Sequence, residues 1–247
     1  MEDYIIVEDC ILPSKGKIYN KAVNPELKIR SMTTNEEMKR LAHTELPFKM
    51  LPTIIDDCLT VKPGISSYDM CLGDYQYLLY RLRIATYGSD YPVDVKCPYC
   101  GQTHKETIDL EKLGVIEYKE EMGNLFNITL PLSKKQIKLR LQTPRMMDEI
   151  VRRTKEIRQK GSSESEPAFL LNVKSNIAEV DGKVLDDIKL EQFVRSLPMR
   201  DTNYLLKSID KLNIGLDLNV EFTCPSCGKT FKDMLPFTGE FFGPSID

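Results

Sequence analysis

Two short stretches constrain this chain more than any other: Cys97-Pro98-Tyr99-Cys100-Gly101 and Cys224-Pro225-Ser226-Cys227-Gly228. In each, two cysteines stand two residues apart and a glycine follows the second, which sets up a tight turn with both sulfurs pointing the same way. Such a turn supplies half of a tetrahedral thiolate site, and a second turn completes it. An alternating apolar run leads into each: Tyr91, Val93 and Val95 before the first, Leu218, Val220 and Phe222 before the second. The two halves lie far apart in the sequence, so closing one site from both would staple the two ends of the fold together.

The likeness runs beyond the cysteines. The shift that carries Cys97 onto Cys224 also carries Asp74 onto Asp201 and Tyr77-Leu78-Leu79 onto Tyr204-Leu205-Leu206. It carries Thr103 and Lys105 onto Thr230 and Lys232 as well, without a gap. A smaller shift brings Lys28-Ile29-Arg30 and Thr33 onto Lys138-Leu139-Arg140 and Thr143, and Leu12-Pro13 resembles Leu130-Pro131. The change of shift places extra residues in the second half, between its first helix and its knuckle. An internal repeat outranks other signals. The expected fold is α+β, two tandem pseudo-repeats of short strands, helices and a knuckle arm, joined by one shared four-cysteine zinc ribbon. The first would span residues 1–122 and the second 123–247, together forming one compact unit.

At 247 residues the chain has room for one large domain or two ordinary ones. Its 41% hydrophobic and 29% charged content is that of a soluble globular protein with enough apolar material for a core. With 34 basic against 37 acidic residues the net charge is -3, which lacks the broad positive field of a nucleic-acid binder. No run is long enough to span a bilayer and no charged-then-apolar leader is visible, so a cytosolic protein is expected. Seven cysteines, four of them in knuckles, fit metal in a reducing compartment better than disulfides.

The rest of the chain reads in order. Tyr4-Ile5-Ile6-Val7 and Leu27-Lys28-Ile29-Arg30 suggest short strands around a turn at Leu12-Pro13-Ser14-Lys15-Gly16. Thr33 or Thr34 followed by Glu36 and Glu37 predicts a helix start, with the helix running to about His43. A second helix follows Leu46-Pro47 and carries Cys58 as a buried small apolar residue. A third, after Gly73-Asp74, ends at Gly88 and leads into the first knuckle, with a return strand through Thr107, Ile108 and Leu110. Residues 115–127 look like the join. Two strands follow, Ile128–Leu130 and Ile137–Leu141. Helices are then expected from about Arg145 to Gln159, from Ala168 to Asn176, from Leu190 to Ser196 and from Asp201 to Leu212. Thr143-Pro144 is a strong helix start, Gly161–Glu166 an exposed loop, and Val180-Asp181-Gly182-Lys183-Val184 a tight hairpin.

The four cysteines Cys97, Cys100, Cys224 and Cys227 are the strong chemical constellation, and structural Zn2+ is its natural occupant. Four thiolates leave no position open for water, so such a site is structural and not catalytic. Two other readings stand beside it: a degenerate ribbon packed without metal, and disulfides formed in oxidised protein. His104 could replace a thiolate, but its repeat equivalent is Phe231, so an ordinary strand position is expected; His43 has no evident partner. With two histidines, no phosphate loop and no nucleophile motif, the expectation is no enzyme and no small-molecule substrate. Asp56-Asp57 reads as a solvated helix face, and Arg152-Arg153 and Lys134-Lys135 are too short to form a nucleic-acid groove. A zinc-ribbon nucleic-acid-binding regulator stays open as an alternative, with Tyr99 as a stacking residue whose counterpart is Ser226.

The chain resembles the baseplate hub and hub-assembly proteins of T4-like contractile-tail bacteriophages. The resemblance rests on the Leu12–Gly16 turn, on the Asp74-to-Gly88 helix running into Cys97-x-x-Cys100, on Cys224-x-x-Cys227 and on the Phe241-Phe242 ending. The region around residues 160–187 is longer than in that family. The resemblance implies a non-enzymatic protein of tail-hub structure or assembly, with other phage tail proteins as partners. It would work in the host cytoplasm during assembly, either staying in the virion baseplate or acting as an assembly chaperone absent from the mature particle. Phe241 and Phe242, together with the loop near Gly161, are then the expected partner-binding segments, because exposed aromatics at a terminus tend to be anchors. The competing expectation is that both rings fold back onto the second knuckle arm.

Overall fold

The computed structural model describes residues 5–42, 46–159, 166–237 and 241–243. Strand β1 (Val7–Ile11) pairs antiparallel with β2 (Glu26–Arg30), Val7 opposite Arg30 and Ile11 opposite Glu26. Cys10, Leu27 and Ile29 face inward and are buried. Helix α1 (Thr34–Leu41) begins with a capping box: Thr33 accepts from the Asn35 N–H, and Glu36 reaches back to the Thr33 N–H at 2.8 Å. Helix α2 (Met50–Cys58) buries Ile54, Ile55 and Cys58 and runs straight into β3 (Leu59–Val61). β3 pairs with β2, so the sheet order is β1-β2-β3. Helix α3 (Leu72–Tyr87) starts on a Cys71 cap and buries Leu78, Leu79, Leu82 and Ile84.

A hairpin follows, β4 (Asp90–Lys96) and β5 (Thr103–Asp109), with Tyr91, Val93 and Val95 inward as their alternation requires. The joining segment holds the short β6 (Val115–Ile116). Next come β7 (Asn127–Thr129), β8 (Gln136–Leu139), α4 (Pro144–Gln159) and α5 (Pro167–Ser175). β9 (Ile177–Val180) closes a second antiparallel sheet of order β7-β8-β9. In both three-stranded sheets two helices lie between the second and third strands. In both, the register slips at matching points, between Lys28 and Ile29 and between Lys138 and Leu139. Asp181 and Gly182 both take positive φ after β9, which is the tight turn expected of Asp-Gly. Helices α6 (Asp187–Ser196) and α7 (Met199–Asp210), the short β10 (Gly215–Leu216) and the hairpin β11 (Asn219–Thr223) with β12 (Thr230–Met234) complete the chain.

An α+β fold is therefore what these residues build. The apolar cores, however, do not part at residues 122 and 123. One cluster joins β1–β5 and α2–α3 to Phe222, Cys224, Phe231, Leu235, Phe241 and Phe242 of the last segment. The other gathers Leu130, Leu139, Val173, Ile177, Leu190, Val194 and Leu205. Several ties cross between the two halves. β6 pairs with β10, and the buried Asp148 of α4 accepts from the Phe48 N–H at 2.9 Å and the Tyr68 hydroxyl at 2.8 Å. Gly73 in α3 lies so close to Ile214 and Gly215 that a Cβ there would stand 1.7 Å from the Ile214 carbonyl oxygen.

Some elements begin elsewhere than the sequence suggests. β1 starts at Val7, and α1 ends at Leu41. Tyr4, His43 and the loop at 161–165 lie outside the described residues.

Candidate metal centre

Each knuckle is a hairpin turn closed by the same pair of backbone bonds. Gly101 N–H donates to the Cys97 carbonyl at 2.9 Å and Gly228 N–H to the Cys224 carbonyl at 2.8 Å. Cys97 N–H donates to Gln102 and Cys224 N–H to Lys229. The two glycines sit at φ 75° and 70°, a left-handed conformation that side chains rarely adopt, which is why glycine follows each second cysteine. The turns meet head to head, although β4–β5 and β11–β12 remain separate two-stranded sheets; the expected ribbon is thus two hairpins joined at their tips.

The four sulfurs all lie within 4.8 Å of one another. Across the two knuckles, Cys97 Sγ is 3.8 Å from Cys227 Sγ and Cys100 Sγ is 3.7 Å from Cys224 Sγ. A tetrahedron with metal–sulfur bonds of about 2.3 Å has sulfur–sulfur edges of about 3.8 Å. The cage is therefore sized for one thiolate-bound ion and far too wide for disulfide bonds, and all seven cysteines are free. Cys97 and Cys224 are buried and Cys100 and Cys227 exposed, so the cage opens on one side.

Its electrostatics point the same way. Burial opposes ionisation of Cys224, but the Cys227 and Ser226 N–H groups and the neighbouring Cys100 and Cys227 thiols overcome it and draw the group down to about 6. At Cys100 the Gln102 N–H favours the thiolate, yet desolvation and three sulfur neighbours prevail and push it up to about 11. One thiolate forms readily and the next is resisted. A cation at the centre removes that resistance, because thiolate ligation neutralises the charge.

A model of the T4 bacteriophage base plate protein family matches residues 4–243. The chain belongs to that family. No curated protein and no solved structure matches this base plate protein.

The remaining candidates fall elsewhere in the base plate protein. His104 is outside the four-cysteine group; its side chain is almost buried on β5, with Nε2 3.4 Å from the Glu106 carboxylate. Phe241 and Phe242 are not surface anchors as the chain stands, being 1% and 4% exposed. Phe241 stacks against Tyr80 at 4.8 Å, Tyr91 at 5.3 Å and Phe237 at 4.7 Å, while Phe242 lies beneath Arg40. They fold onto α3 and β4 because that is where the unfilled aromatic pocket is, and Tyr91 reinforces the path by donating to the Pro236 carbonyl.

Asp56 is not a merely solvated residue either. It accepts from Ser66 Oγ and from both the N–H and the hydroxyl of Ser67, fixing the turn before α3, while Asp57 pairs with Lys39. A cavity of about 600 Å³ lies between Tyr68, α4 and α5, but its wall cations are already engaged. Arg145 pairs with Asp69, Arg152 with Glu149, Arg153 with Asp187, and Lys174 with Asp187 and Glu191. Among the described residues no helix is long and apolar enough to cross a membrane.

Proposed function

We propose that this base plate protein is a non-enzymatic scaffold of the tail hub, built from two copies of one module and stapled by structural zinc. The observation that carries the reading is the cage itself: it draws two sulfurs from residues 97–100 and two from 224–227, at the spacing of a tetrahedral site. With four thiolate ligands no position remains for water or substrate, and the metal's binding energy becomes folding energy. Duplication is supported by the matching strand order, the matching helical insert and the matching register slip of the two sheets. A non-enzymatic role is supported by the cavity's cations being held by carboxylates or, for Arg140, by the Ser175 carbonyl. The hub as the place of action rests on the resemblance of the Leu12–Gly16 turn and the two knuckles to hub proteins. Its partners would be other tail proteins, met in the host cytoplasm during assembly.

Mass spectrometry of purified particles against crude infected lysate tests where it acts. Abundant peptides in both make it a resident of the baseplate; peptides in the lysate alone make it an assembly chaperone. Metal analysis of protein never exposed to chelator tests the staple. One zinc per chain is expected, and a metal-free protein whose Cys97→Ser variant is equally stable would sink the zinc reading.

A further inference from the structure

The two three-stranded sheets finish their first edge differently. β7 has three residues and presents Asn127 and Thr129, a short polar edge of the kind that resists unwanted pairing. β1 has five, and the strand with its lead-in exposes Ile5, Ile6, Val7 and Ile11, each 40% to 57% accessible. A long apolar edge is a template for another strand unless something blunts it.

The ladder decides which backbone groups are spoken for, because alternate residues of an antiparallel strand face the neighbour. Ser31 N–H donates to the Ile6 carbonyl and Leu12 N–H to the Pro25 carbonyl, so Ile6, Glu8, Cys10 and Leu12 bond towards β2. Val7 and Asp9 therefore turn their N–H and C=O groups to the open edge, where no described residue meets them. The Ile11 amide is met by the Tyr77 hydroxyl, which closes that end and leaves Ile5 to Asp9 as the free edge.

Charge then selects the occupant. Asp9 is 81% exposed on the outer face, with Lys28 of β2 at 3.2 Å on one side and the open edge on the other. A second copy paired along the free edge Ile5–Asp9 would centre on Val7 and set Ile5 against Asp9, which offers the carboxylate no counter-charge across the new ladder. A foreign strand with a basic residue at that point brackets the carboxylate instead.

We infer that β1 is a strand-addition edge that takes an extended segment of another tail protein, apolar opposite Val7 and basic opposite Asp9. That the segment comes from a tail protein rests on the family; the edge and its chemistry do not.

The test uses the full chain and two synthetic peptides of alternating threonine and isoleucine, one with a single lysine and one with glutamate in its place. In ¹⁵N NMR the lysine peptide should shift the Val7 and Asp9 amides and slow their hydrogen exchange. The glutamate peptide should bind about fivefold more weakly, and Asp9→Lys should reverse the preference. Val7→Pro removes an outward N–H and spares the ladder to β2, so it should abolish binding without moving the thermal transition. Equal affinity for both peptides, shifts confined to other surfaces, no binding, or a dimer of the free chain that Val7→Pro dissolves would overturn the inference.

Discussion

At the start of α3, Asp74 holds the turn that follows β1; at the start of α7, Asp201 holds the turn that follows β7. Each accepts the N–H of the residue after a Leu-Pro pair, from Ser14 at 2.9 Å and from Leu132 at 2.8 Å. Both carboxylates are fully buried, yet their settings diverge. Asp74 also receives the Ser14 hydroxyl and, at 2.6 Å, the Tyr19 hydroxyl, in a closed pocket beside the buried Cys71. There desolvation outweighs the donors and lifts the carboxyl above its ordinary 3.8. Asp201 feels desolvation too, but the backbone N–H groups of Leu132 and Ser133 overcome it and hold the carboxyl below 3.8. The same hydrogen-bonding task is thus done in two different dielectric settings. The difference tracks the cores: the last hairpin and the tail seal the first half, whereas α7 keeps Met199 and Tyr204 in water.

The sharpest way to break this comparison is to cut the staple. Cys97→Ser and Cys224→Ser should each lower stability by far more than any other single change, since a structural zinc site contributes on the order of 10 kcal/mol. Calorimetry should show equal losses from the two knuckles; unequal ones would mean that only one hairpin needs the metal.

Next in size is Gly73→Ala. The added methyl would collide with the Ile214 carbonyl backbone, which cannot yield as a flexible side chain would, and about 3 kcal/mol should be lost in urea unfolding. The matching position in the other half holds the exposed Arg200, where alanine should change stability by less than about 0.5 kcal/mol.

The aspartates themselves give a smaller, pH-dependent contrast. Asp201 favours folding when ionised, so its contribution is complete above pH 3.8 and drains away as pH falls through its lowered folded value. Asp74 opposes folding when ionised, so its penalty is absent below 3.8 and grows as pH rises to its raised folded value. Carboxyl NMR titration should place the two midpoints on opposite sides of 3.8, and coincident midpoints would erase the distinction.

The least effect is at the helix starts. Thr33 and Thr143 each accept an N–H at 3.3 Å, from Asn35 and from Met146, but only Thr33 has an acid, Glu36, that bonds back to its N–H and hydroxyl. Thr33→Ala should cost about 1.5 kcal/mol and Thr143→Ala about 0.5 kcal/mol by thermal unfolding.

What could be read from the sequence was whatever depends on neighbours along the chain. Cys-x-x-Cys-Gly announces its own turn, Asp181-Gly182 its own hairpin, and Tyr77 to Ala85 its own helix. The third strands, β3 and β9, were invisible because each continues directly from a helix. Cys58 and Leu59 read as one apolar stripe, and only the free edge of β2 turns Leu59–Val61 into a strand. The adjacent rings of Phe241 and Phe242 cannot say whether they are anchor or core, since the pocket that decides is made by Tyr80 and Tyr91, remote in sequence. Gly73 likewise looks like a helix-start residue until the backbone of Ile214 is found against it. The cysteine cage was legible as a set of ligands, but the separateness of its two hairpins was not, because strand pairing between distant segments leaves no local mark.

The seating of Phe241 has a consequence for how the protein is made. A ribosome delivers Tyr80, Tyr91 and Cys97 well before Phe222, Cys224 and Phe241, so the first half emerges with its aromatic pocket unfilled and two thiols unmatched. Its core stays incomplete until Phe222, Phe231 and Phe241 arrive. A stalled or clipped product lacking them has neither the plug nor the second knuckle, and it exposes apolar surface that marks it for proteolysis. Closure of the first half's core thus waits on residues made long after the pocket they fill.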